Sequence, residues 1–591
     1  MSSYRVRGDG LPRFGWRALL GGVLLVSYPV CAADIVVATQ HPQASDANPG
    51  TNDKPLKTIY AAAARAQPGD HVIIHGGEYR ETVIINRSGT ADKPIIFEAA
   101  AGETPVIKGS DVVIGWVRKS ANIWQAKLPK PSPGSVKQDD PSFWRAPDVR
   151  QVFIKDGVLR EAVMLRPAAT RKELVDGKFF HDSDSGELAI WVSPDFDPNK
   201  NVIEASVRGA WLYVIGDHIM VRGLQMRHTS SVPVTAASGC VLQGSYDKIE
   251  GCTLTWSEFC GLHFDGNFDS VIGCTLACHA NSGLGGTGEG HLIKDCRVIY
   301  NNLDRFDYWW HCGGAKLIPA FSKSRILHNE FAYNTGPGLW LDDCCNVNLI
   351  EGNLCHDNEG AGILIEVSAA NRLYNNICFN NRNPQQLEYL TPIKPNTLDL
   401  RHGFRPVRRP LAPQHRYFFG PGQGICVASS PFTKVYHNTC FGNEGEGIAV
   451  NGLLRRAPCF DMSSKDIMVL NNISAHNKGA QLLLATELKD SARLTSDHNV
   501  FFGPGAVLAS PGYGAPIFDS LQAWTKRTGQ DAHSEVIDPE IPSVKTGDFH
   551  PVPGSPIVGA AKPLRSVKLD YYGQPRPPDR VTPGACEPMT R

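Results

Sequence analysis

The sequence has 591 residues and equal numbers of basic and acidic side chains, 59 of each, so its formal charge is zero. A neutral chain gives no support for nucleic-acid binding, which depends on basic surfaces. The length suffices for a large core and for more than one module.

The first 33 residues have the features of a secretory signal peptide. Scattered arginines precede a short apolar run from Ala18 to Val26, and the motif VCAA at 30–33 offers a small-residue cleavage site. The run is too short to favour a membrane anchor, and no later segment is long and apolar enough to span a bilayer. We therefore expect a secreted or periplasmic protein from which residues 1–33 are removed.

Residues 34–110 predict an N-terminal cap and the first coils of a solenoid. A strand pattern at 35–39 is followed by an amphipathic helix pattern from Leu56 to Gln67, which ends at Pro68. A helix ahead of stacked strands can cover the open end of a solenoid. With PGD at 68–70 and GGEY at 76–79, this segment resembles the cap of secreted right-handed parallel β-helix proteins of the pectate-lyase-like type, which are mostly carbohydrate-active enzymes.

Residues 111–205 interrupt the pattern. They carry four tryptophans, β-type alternation and turn sequences such as KDG at 155–157. We expect a β-rich insertion here, and two uses for it stay open: one wall of a sugar cleft, or a module that only stabilises the chain.

Residues 206–505 repeat with a period of 22–24 residues. Because asparagine tolerates left-handed turns and its amide can bond the next copy, regularly spaced asparagines predict a ladder. The pattern predicts an all-β fold, a right-handed parallel β-helix of roughly ten coils, with a C-terminal cap at 506–591. Coil starts and asparagine positions are Gly261, Gly283, Gly314, Gly338, Gly362, Gly424 and Gly447, and Asn329, Asn353, Asn376, Asn438 and Asn472.

The cysteines follow the repeat in part. Sixteen cysteines in an exported protein suggest disulfides. However, Cys252, Cys274 and Cys296 are each 22 residues apart, so we expect thiols stacked at one coil position. Disulfides between neighbouring coils are the alternative.

Two insertions, 302–313 and 382–422, leave the repeat just after an asparagine. The first carries Trp309 and Trp310, and the second has a basic stretch at 401–416. Both enter the edge at which the following glycine strands begin, and loops placed in this way form a cleft on an otherwise regular solenoid.

Two consecutive repeats end in a carboxylate. GLWLD at 338–342 is followed by GILIE at 362–366, so Asp342 and Glu366 hold the same outward position. Adjacent coils are roughly 4.8 Å apart, which predicts carboxyl groups about 5 Å apart, close to the spacing of a retaining glycosidase.

Further candidate substrate-binding residues share this face. Lys316 would serve as a salt-bridge partner, a substrate-binding cation or a base, and aromatic faces suit sugar rings. The adjacent Asp343 would replace Asp342 if the register shifted by one residue. The set is His263, Asp265, Lys316, Trp340, Asp343, Trp309 and Trp310.

GLWLD and GILIE also resemble the β-helix glycoside hydrolases, including a β-xylosidase family with an Asp nucleophile and a Glu acid/base on adjacent coils. The resemblance implies these roles for Asp342 and Glu366. We expect a monomeric, exported glycoside hydrolase acting on a plant- or microbe-derived polysaccharide or oligosaccharide, without a required cofactor. The alternatives are a polysaccharide lyase that uses Lys316 or His263 as base, a non-catalytic glycan-binding protein, and calcium binding by the carboxylate pair.

Overall fold

Three long parallel sheets wind around one apolar core in the computed structural model, which confirms the predicted parallel β-helix. Each complete coil contributes one strand to each sheet, and the first and last strands, Asp34–Val37 and Glu535–Val536, belong to incomplete coils. The structure describes residues 33–128, 149–231, 238–306, 311–382, 389–392, 404–407, 422–451, 455–456, 459, 461–485, 493–503, 508–509, 518, 520–542, 544 and 547–589.

The three sheets are numbered by their order within a coil. The first has 13 strands: Asp34–Val37, His71–Ile74, Ile95–Ala99, Ile219–Arg222, Lys248–Glu250, Ser270–Ile272, Leu292–Lys294, Arg325–Leu327, Leu349–Glu351, Arg372–Tyr374, Lys434–Tyr436, Met468–Leu470 and Thr495–Asp497. The second has 13: Gly77–Tyr79, Pro105–Lys108, Gln225–Thr229, Thr253–Ser257, Thr275–Ala277, Arg297–Ile299, Glu330–Ala332, Leu354–His356, Ile377–Phe379, Thr439–Phe441, Ile473–Ala475, Val500–Phe502 and Glu535–Val536. The third has 12: Val83–Ile85, Leu212–Val214, Ser238–Leu242, Cys260–Phe264, Ser282–Gly286, Gly313–Leu317, Leu339–Leu341, Ile363–Glu366, Ile425–Ala428, Ile448–Asn451, Leu482–Ala485 and Leu508–Ala509.

The number of coils exceeds the expected ten or so. The additional strands lie near the two ends of the solenoid, before residue 110 and after residue 500, where the sequence lacks the glycine and asparagine registers. Parallel pairing there depends on backbone hydrogen bonds and buried aliphatic side chains, which need no repeat in the sequence.

The asparagine registers form two hydrogen-bonded ladders. Asn353 Nδ2 donates to Asn376 Oδ1 at 3.0 Å, and Asn358 Nδ2 donates to Asn381 Oδ1 at the same distance. These side chains are fully buried, and each amide also bonds a backbone carbonyl. The stacking of Asn353 on Asn376 confirms the register that the sequence predicted.

The cysteine column is a stack of thiols, as expected. Cys252, Cys274 and Cys296 are buried and free, and the Cys274 backbone N–H points at Cys296 Sγ at 3.5 Å. Among the described residues one disulfide is present, between Cys344 and Cys459.

The inserted segment folds as an eight-stranded sheet with its own core, which includes Trp116 and Trp124. It packs on the outer face of the second sheet, where Phe153 meets Trp256 edge-on with ring centroids 5.6 Å apart. In spatial order its strands are Ser110–Val113, Ile203–Ser206, Val152–Lys155, Val163–Pro167, Lys178–Asp182, Glu187–Trp191, Ile123–Lys127 and Val117–Arg118.

The first helix is shorter than predicted. It spans Ile59–Ala63, not 56–67, because Leu56 forms a β-bridge with Val37 and the helix already ends with Ala64 as C-cap. The second helix spans Leu521–Thr528. The remaining elements are 3₁₀ turns at Arg171–Glu173 and Pro198–Lys200, and two antiparallel pairs, Tyr389–Pro392 with Phe404–Val407 and Arg455–Arg456 with Asp461–Met462. No helix within the described ranges is long and apolar enough to cross a membrane.

Candidate active site

The third sheet aligns the predicted residues on its outer face. Glu366 ends the strand Ile363–Glu366, and Asp342 follows Leu341, which is paired with Ile365. The two carboxylates therefore lie on adjacent coils. One outward column, one residue per coil, runs through His263, Gly285, Lys316, Trp340, Leu364 and Cys426.

Lys316 is a buried cation held against Asp342. Its side chain is only 3% exposed, and its Nζ lies 3.0 Å from Asp342 Oδ2. The same Nζ lies 3.3 Å from the centre of the Trp340 ring. A buried ammonium needs a counter-charge, and an aromatic face stabilises it further. The arrangement fixes the position of the Asp342 carboxylate.

Glu366 is a carboxyl group in a largely apolar setting. It is 4% exposed and stands between Leu364 and Ala428, members of a small apolar cluster on this face. Its Oε2 accepts the indole N–H of Trp340 at 3.0 Å, and its Oε1 pairs with the guanidinium of Arg455.

Burial raises the pKa of Glu366, and the neighbouring negative charge of Asp342 raises it further. The guanidinium of Arg455 and the ammonium of Lys316 counter part of this rise. The pair is therefore asymmetric: one carboxylate has a buried lysine at hydrogen-bond distance, while the other retains its proton more readily than usual. Such a separation of roles is what acid and nucleophile require.

Trp340 lies beneath these groups instead of forming an open platform. It is 3% exposed, one face carries the Lys316 ammonium and the indole nitrogen binds Glu366. This placement favours a role in positioning the charged groups over the expected stacking on a sugar ring.

Asp343 shares the charged environment of the site. Its backbone is left-handed, with φ of 54°, so the chain turns immediately after Asp342. Burial and the charge of Asp342 raise the pKa of Asp343. Since the bond to Lys316 is made by Asp342, Asp342 is the carboxylate that belongs to the buried cluster.

Two imidazoles lie at the other end of this face, His263 in the column itself and His311 near it. Burial lowers the pKa of His263 to about 4, and burial together with the nearby Lys316 and His263 lowers the pKa of His311 to about 3. Both rings are neutral near pH 7. Gly285 leaves a side-chain-free position between His263 and Lys316, and Asp265 is exposed beside this part of the face.

Arg455 is a site residue that the sequence analysis missed. It lies on the short antiparallel pair Arg455–Arg456 and Asp461–Met462, which we call the Arg455 hairpin. The Cys344–Cys459 disulfide ties this hairpin to the turn that follows Asp342. One signal was present: Asn443 and Asn477 are 34 residues apart, whereas Asn358 and Asn381 are 23 apart, so this coil holds an insertion.

Part of the first insertion lies within the described residues, and the predicted cleft stays a prediction. Arg305, in the first insertion, pairs with Glu359 at 3.0 Å, and Asp304 pairs with Arg166 of the inserted sheet. The insertion therefore lies along the edge where the coils of Asp342 and Glu366 begin. Trp309, Trp310 and most of 382–422, including nearly all of the basic stretch, fall outside the described residues, so their roles stay predictions.

Two groups of residues in the described part of the chain bring three metal-binding side chains within 4.8 Å of one another, and neither includes Asp342 or Glu366. In the candidate site Lys316 and Arg455 already face these carboxylates. The calcium alternative stays a prediction.

The family model described as "Right handed beta helix region" matches residues 238–389, which include both carboxylates. Together with the sheet topology this match defines a right-handed parallel β-helix protein. The described solenoid continues in both directions beyond the matched region.

Comparisons with known proteins give relatives among carbohydrate-active β-helix proteins. The structure titled "The complex structure of XylC with xylose" has a TM-score of 0.63 at 16% identity and covers 94% of this chain and 99% of its own. A structure titled "Glycoside hydrolase" has a TM-score of 0.50 at 14% identity, with 85% and 99% covered.

Two curated proteins match over shorter stretches. Pectate lyase PEL9 of Emericella nidulans is 32% identical over 179 residues, 29% of this chain and 42% of that protein. The uncharacterized protein YwoF of Bacillus subtilis is 42% identical over 71 residues, 12% of this chain and 15% of that protein. The chain thus spans less than half the length of each curated relative.

Proposed function

We propose that this protein is an exported glycoside hydrolase that cleaves a plant- or microbe-derived glycan with retention of configuration. Asp342 is the nucleophile and Glu366 the general acid/base. The observation that carries the proposal is the asymmetry of the pair: Lys316 binds Asp342 at 3.0 Å, while burial and the charge of Asp342 raise the pKa of Glu366.

In the first step Asp342 attacks the anomeric carbon, and the bond to the leaving oxygen breaks as Glu366 transfers its proton to that oxygen. This step forms a covalent glycosyl ester and leaves Glu366 ionised. In the second step Glu366 takes a proton from water, whose oxygen attacks the anomeric carbon and releases Asp342. Both groups return to their starting protonation states.

The neighbouring groups hold the pair in this arrangement. Lys316 orients Asp342. Trp340 links this ion pair to Glu366, because its ring contacts the Lys316 ammonium and its N–H binds Glu366. Arg455 stabilises the ionised form of Glu366, which is the state required to activate water in the second step.

The β-helix fold also hosts lyases, and the similarity to part of Pectate lyase PEL9 favours a lyase as the second candidate. A lyase would need a base, such as Lys316, to remove the proton next to a uronate carboxylate. Lys316 would then have to leave its contact with Asp342, whereas the hydrolase mechanism uses the contact as it stands. The fold likeness to XylC, solved in complex with xylose, and to the structure titled "Glycoside hydrolase" supports the first candidate.

The test is a pair of isosteric variants. Asp342→Asn should abolish turnover of every substrate. Glu366→Gln should slow turnover by about 100–10,000-fold, the usual contribution of a general acid/base, but spare the first step for substrates with good leaving groups. Added azide should restore its turnover and give a glycosyl azide of retained configuration. Asp343→Asn is the control, because it removes a neighbouring carboxyl group that does not bond Lys316.

Proton NMR of the first-formed sugar checks the stereochemistry. Inversion of configuration would contradict the retaining mechanism. An unsaturated uronate that absorbs ultraviolet light, together with an inactive Lys316→Ala variant and active carboxylate variants, would establish the lyase instead. A chain that leaves every tested glycan intact would be a binding protein.

A further inference from the structure

A cluster of two imidazoles and one carboxylate lies at the C-terminal end of the solenoid, remote in sequence from the active site. Asp497 ends the last strand of the first sheet and His498 follows it. His533 lies on the segment that returns after the second helix. Backbone hydrogen bonds from Asp531 to Ser496 at 2.7 Å and from Glu535 to Asn499 at 2.9 Å hold this return segment against the last coil.

The donor atoms of the three side chains converge on one oxygen. His533 Nδ1 lies 2.8 Å and His498 Nε2 3.8 Å from Asp497 Oδ2. The two rings are stacked, with centroids 4.9 Å apart and planes inclined by 10°. In a tetrahedral site with bonds of about 2.0–2.1 Å the donor atoms are about 3.3 Å apart. The observed spacings bracket this value, so small side-chain rotations suffice.

We propose that Asp497, His498 and His533 form a binding site for Zn²⁺ or a similar borderline divalent ion, which joins the last coil to the C-terminal return segment. Two imidazoles and a carboxylate suit zinc, nickel and copper, whereas calcium and magnesium prefer oxygen ligands. The His533 side chain is 67% exposed, so water has access to the fourth position.

The second three-residue group is a poorer metal site because basic side chains surround it. Asp156, Glu204 and His228 also lie close together. However, Lys108 Nζ is 2.8 Å from both acidic side chains, and Arg80 pairs with Glu204. These cations already balance the carboxylates and would repel a divalent ion. The side-chain partners of Asp497 Oδ2 are the imidazoles of His498 and His533, which bind a metal when neutral, and Asp497 Oδ1 accepts the backbone N–H of His533 at 2.7 Å.

The preceding coil shows which residue can replace His498 conservatively. His498 has a left-handed backbone with φ of 55°, and Asn471 holds the corresponding turn one coil earlier with φ of 59°. His498→Asn therefore places a residue that this turn already accepts, so the coil should fold. His533→Gln is the second variant. His550→Asn is the matched control, because His550 binds the carboxylate of Asp548 at 2.7 Å and these two belong to no three-residue group among the residues that the structure describes.

The experiment uses the whole mature protein, stripped with chelator and dialysed against Zn²⁺. We expect one equivalent of zinc by elemental analysis, a rise in the midpoint of thermal unfolding that saturates at one equivalent, and a visible Co²⁺ spectrum that zinc abolishes. His498→Asn and His533→Gln should weaken zinc binding by more than the ~10–100-fold that follows loss of a residue that only orients a ligand. His550→Asn should bind as the parent does.

Each contrary result would overturn the site. The proposal fails if the parent binds no zinc, if calcium produces the same stabilisation, or if both histidine variants retain the bound equivalent. Glycan cleavage is not part of the readout, so the outcome is independent of the proposed hydrolase activity.

Discussion

At the scale of single residues, Glu366 is subject to opposing influences. Burial and the charge of Asp342 raise its pKa, while Arg455 lowers it. An acid/base residue must give up its proton in one step and recover it in the next, so neither influence can dominate without slowing one of the steps. In the proposed mechanism the balance between Asp342 and Arg455 would therefore set the pH range of activity.

Arg455→Ala should move the high-pH limb of the kcat/KM profile to higher pH. The sign follows from the charge: without the guanidinium the ionised form of Glu366 is less stable, so its pKa rises and the acid form persists to higher pH. The measurement is the pH dependence of kcat/KM on a substrate with a poor leaving group. Arg455→Lys keeps the charge and should shift the limb less. A limb that stays in place in the alanine variant would show that Arg455 does not act on Glu366.

At the scale of elements, the Arg455 hairpin depends on a covalent tether. Cys344 lies two residues after Asp342, and its disulfide to Cys459 spans 115 residues of sequence. The bond thus connects the coil of Asp342, the proposed nucleophile, to the hairpin whose Arg455 pairs with Glu366.

The Cys344→Ser/Cys459→Ser double variant should shift the pH profile in the same direction as Arg455→Ala, because the released hairpin holds Arg455 near Glu366 for less of the time. The buried core of the coils is untouched, so far-ultraviolet circular dichroism should not change. The Cys252→Ser variant is a control for a cysteine-to-serine change outside the disulfide, because Cys252 is a free cysteine. An unchanged profile would mean that the hairpin keeps its position without the disulfide.

The difference between predicted and missed features has a physical basis. The asparagine ladders and the outward column could be predicted because a solenoid stacks equal sequence positions, so a period in the sequence becomes a contact in space. The partnership of Glu366 with Arg455 could not, because Arg455 stands in a segment of irregular length without a period. The short first helix was missed for a related reason, since the apolar pattern around Leu56 fits a strand edge as well as a helix.

At the scale of the whole molecule, a third ladder of hydrogen bonds runs along the solenoid, and its side chains change from acids to amides. At the corner that precedes several strands of the first sheet, a backbone N–H donates to the side chain at the same position of the next coil. In the middle coils these are neutral amides, with Ser324 N bonded to Asn348 Oδ1 and Asn348 N to Asn371 Oδ1. In earlier coils the position holds acids: Asp247 Oδ1 caps Ile219 and Asp269 Oδ1 caps Asp247.

These two acids make stability depend on pH. Burial, with a contribution from neighbouring acids, raises the pKa of Asp247 to about 9 and that of Asp269 to about 8. In the unfolded chain an aspartate titrates near pH 3.9, as is usual for the side chain. Between these limits the folded state binds more protons than the unfolded state, so the free energy of unfolding falls as pH rises, by up to about 1.4 kcal/mol per pH unit for each group.

Asp247→Asn/Asp269→Asn should therefore flatten the decline of stability between pH 5 and 9. The substitutions install the amides that the middle coils already use, so each cap keeps its acceptor oxygen, while the ionisation that burial opposes is removed. Below about pH 4, where the acids are protonated in both states, parent and variant should differ little; near pH 9 the variant should be the more stable. Urea unfolding followed across this pH range measures the effect, and Asn348→Asp should do the reverse in the middle of the ladder. If the free energy of unfolding changed with pH equally in parent and double variant, the two acids would be ionised in the folded protein.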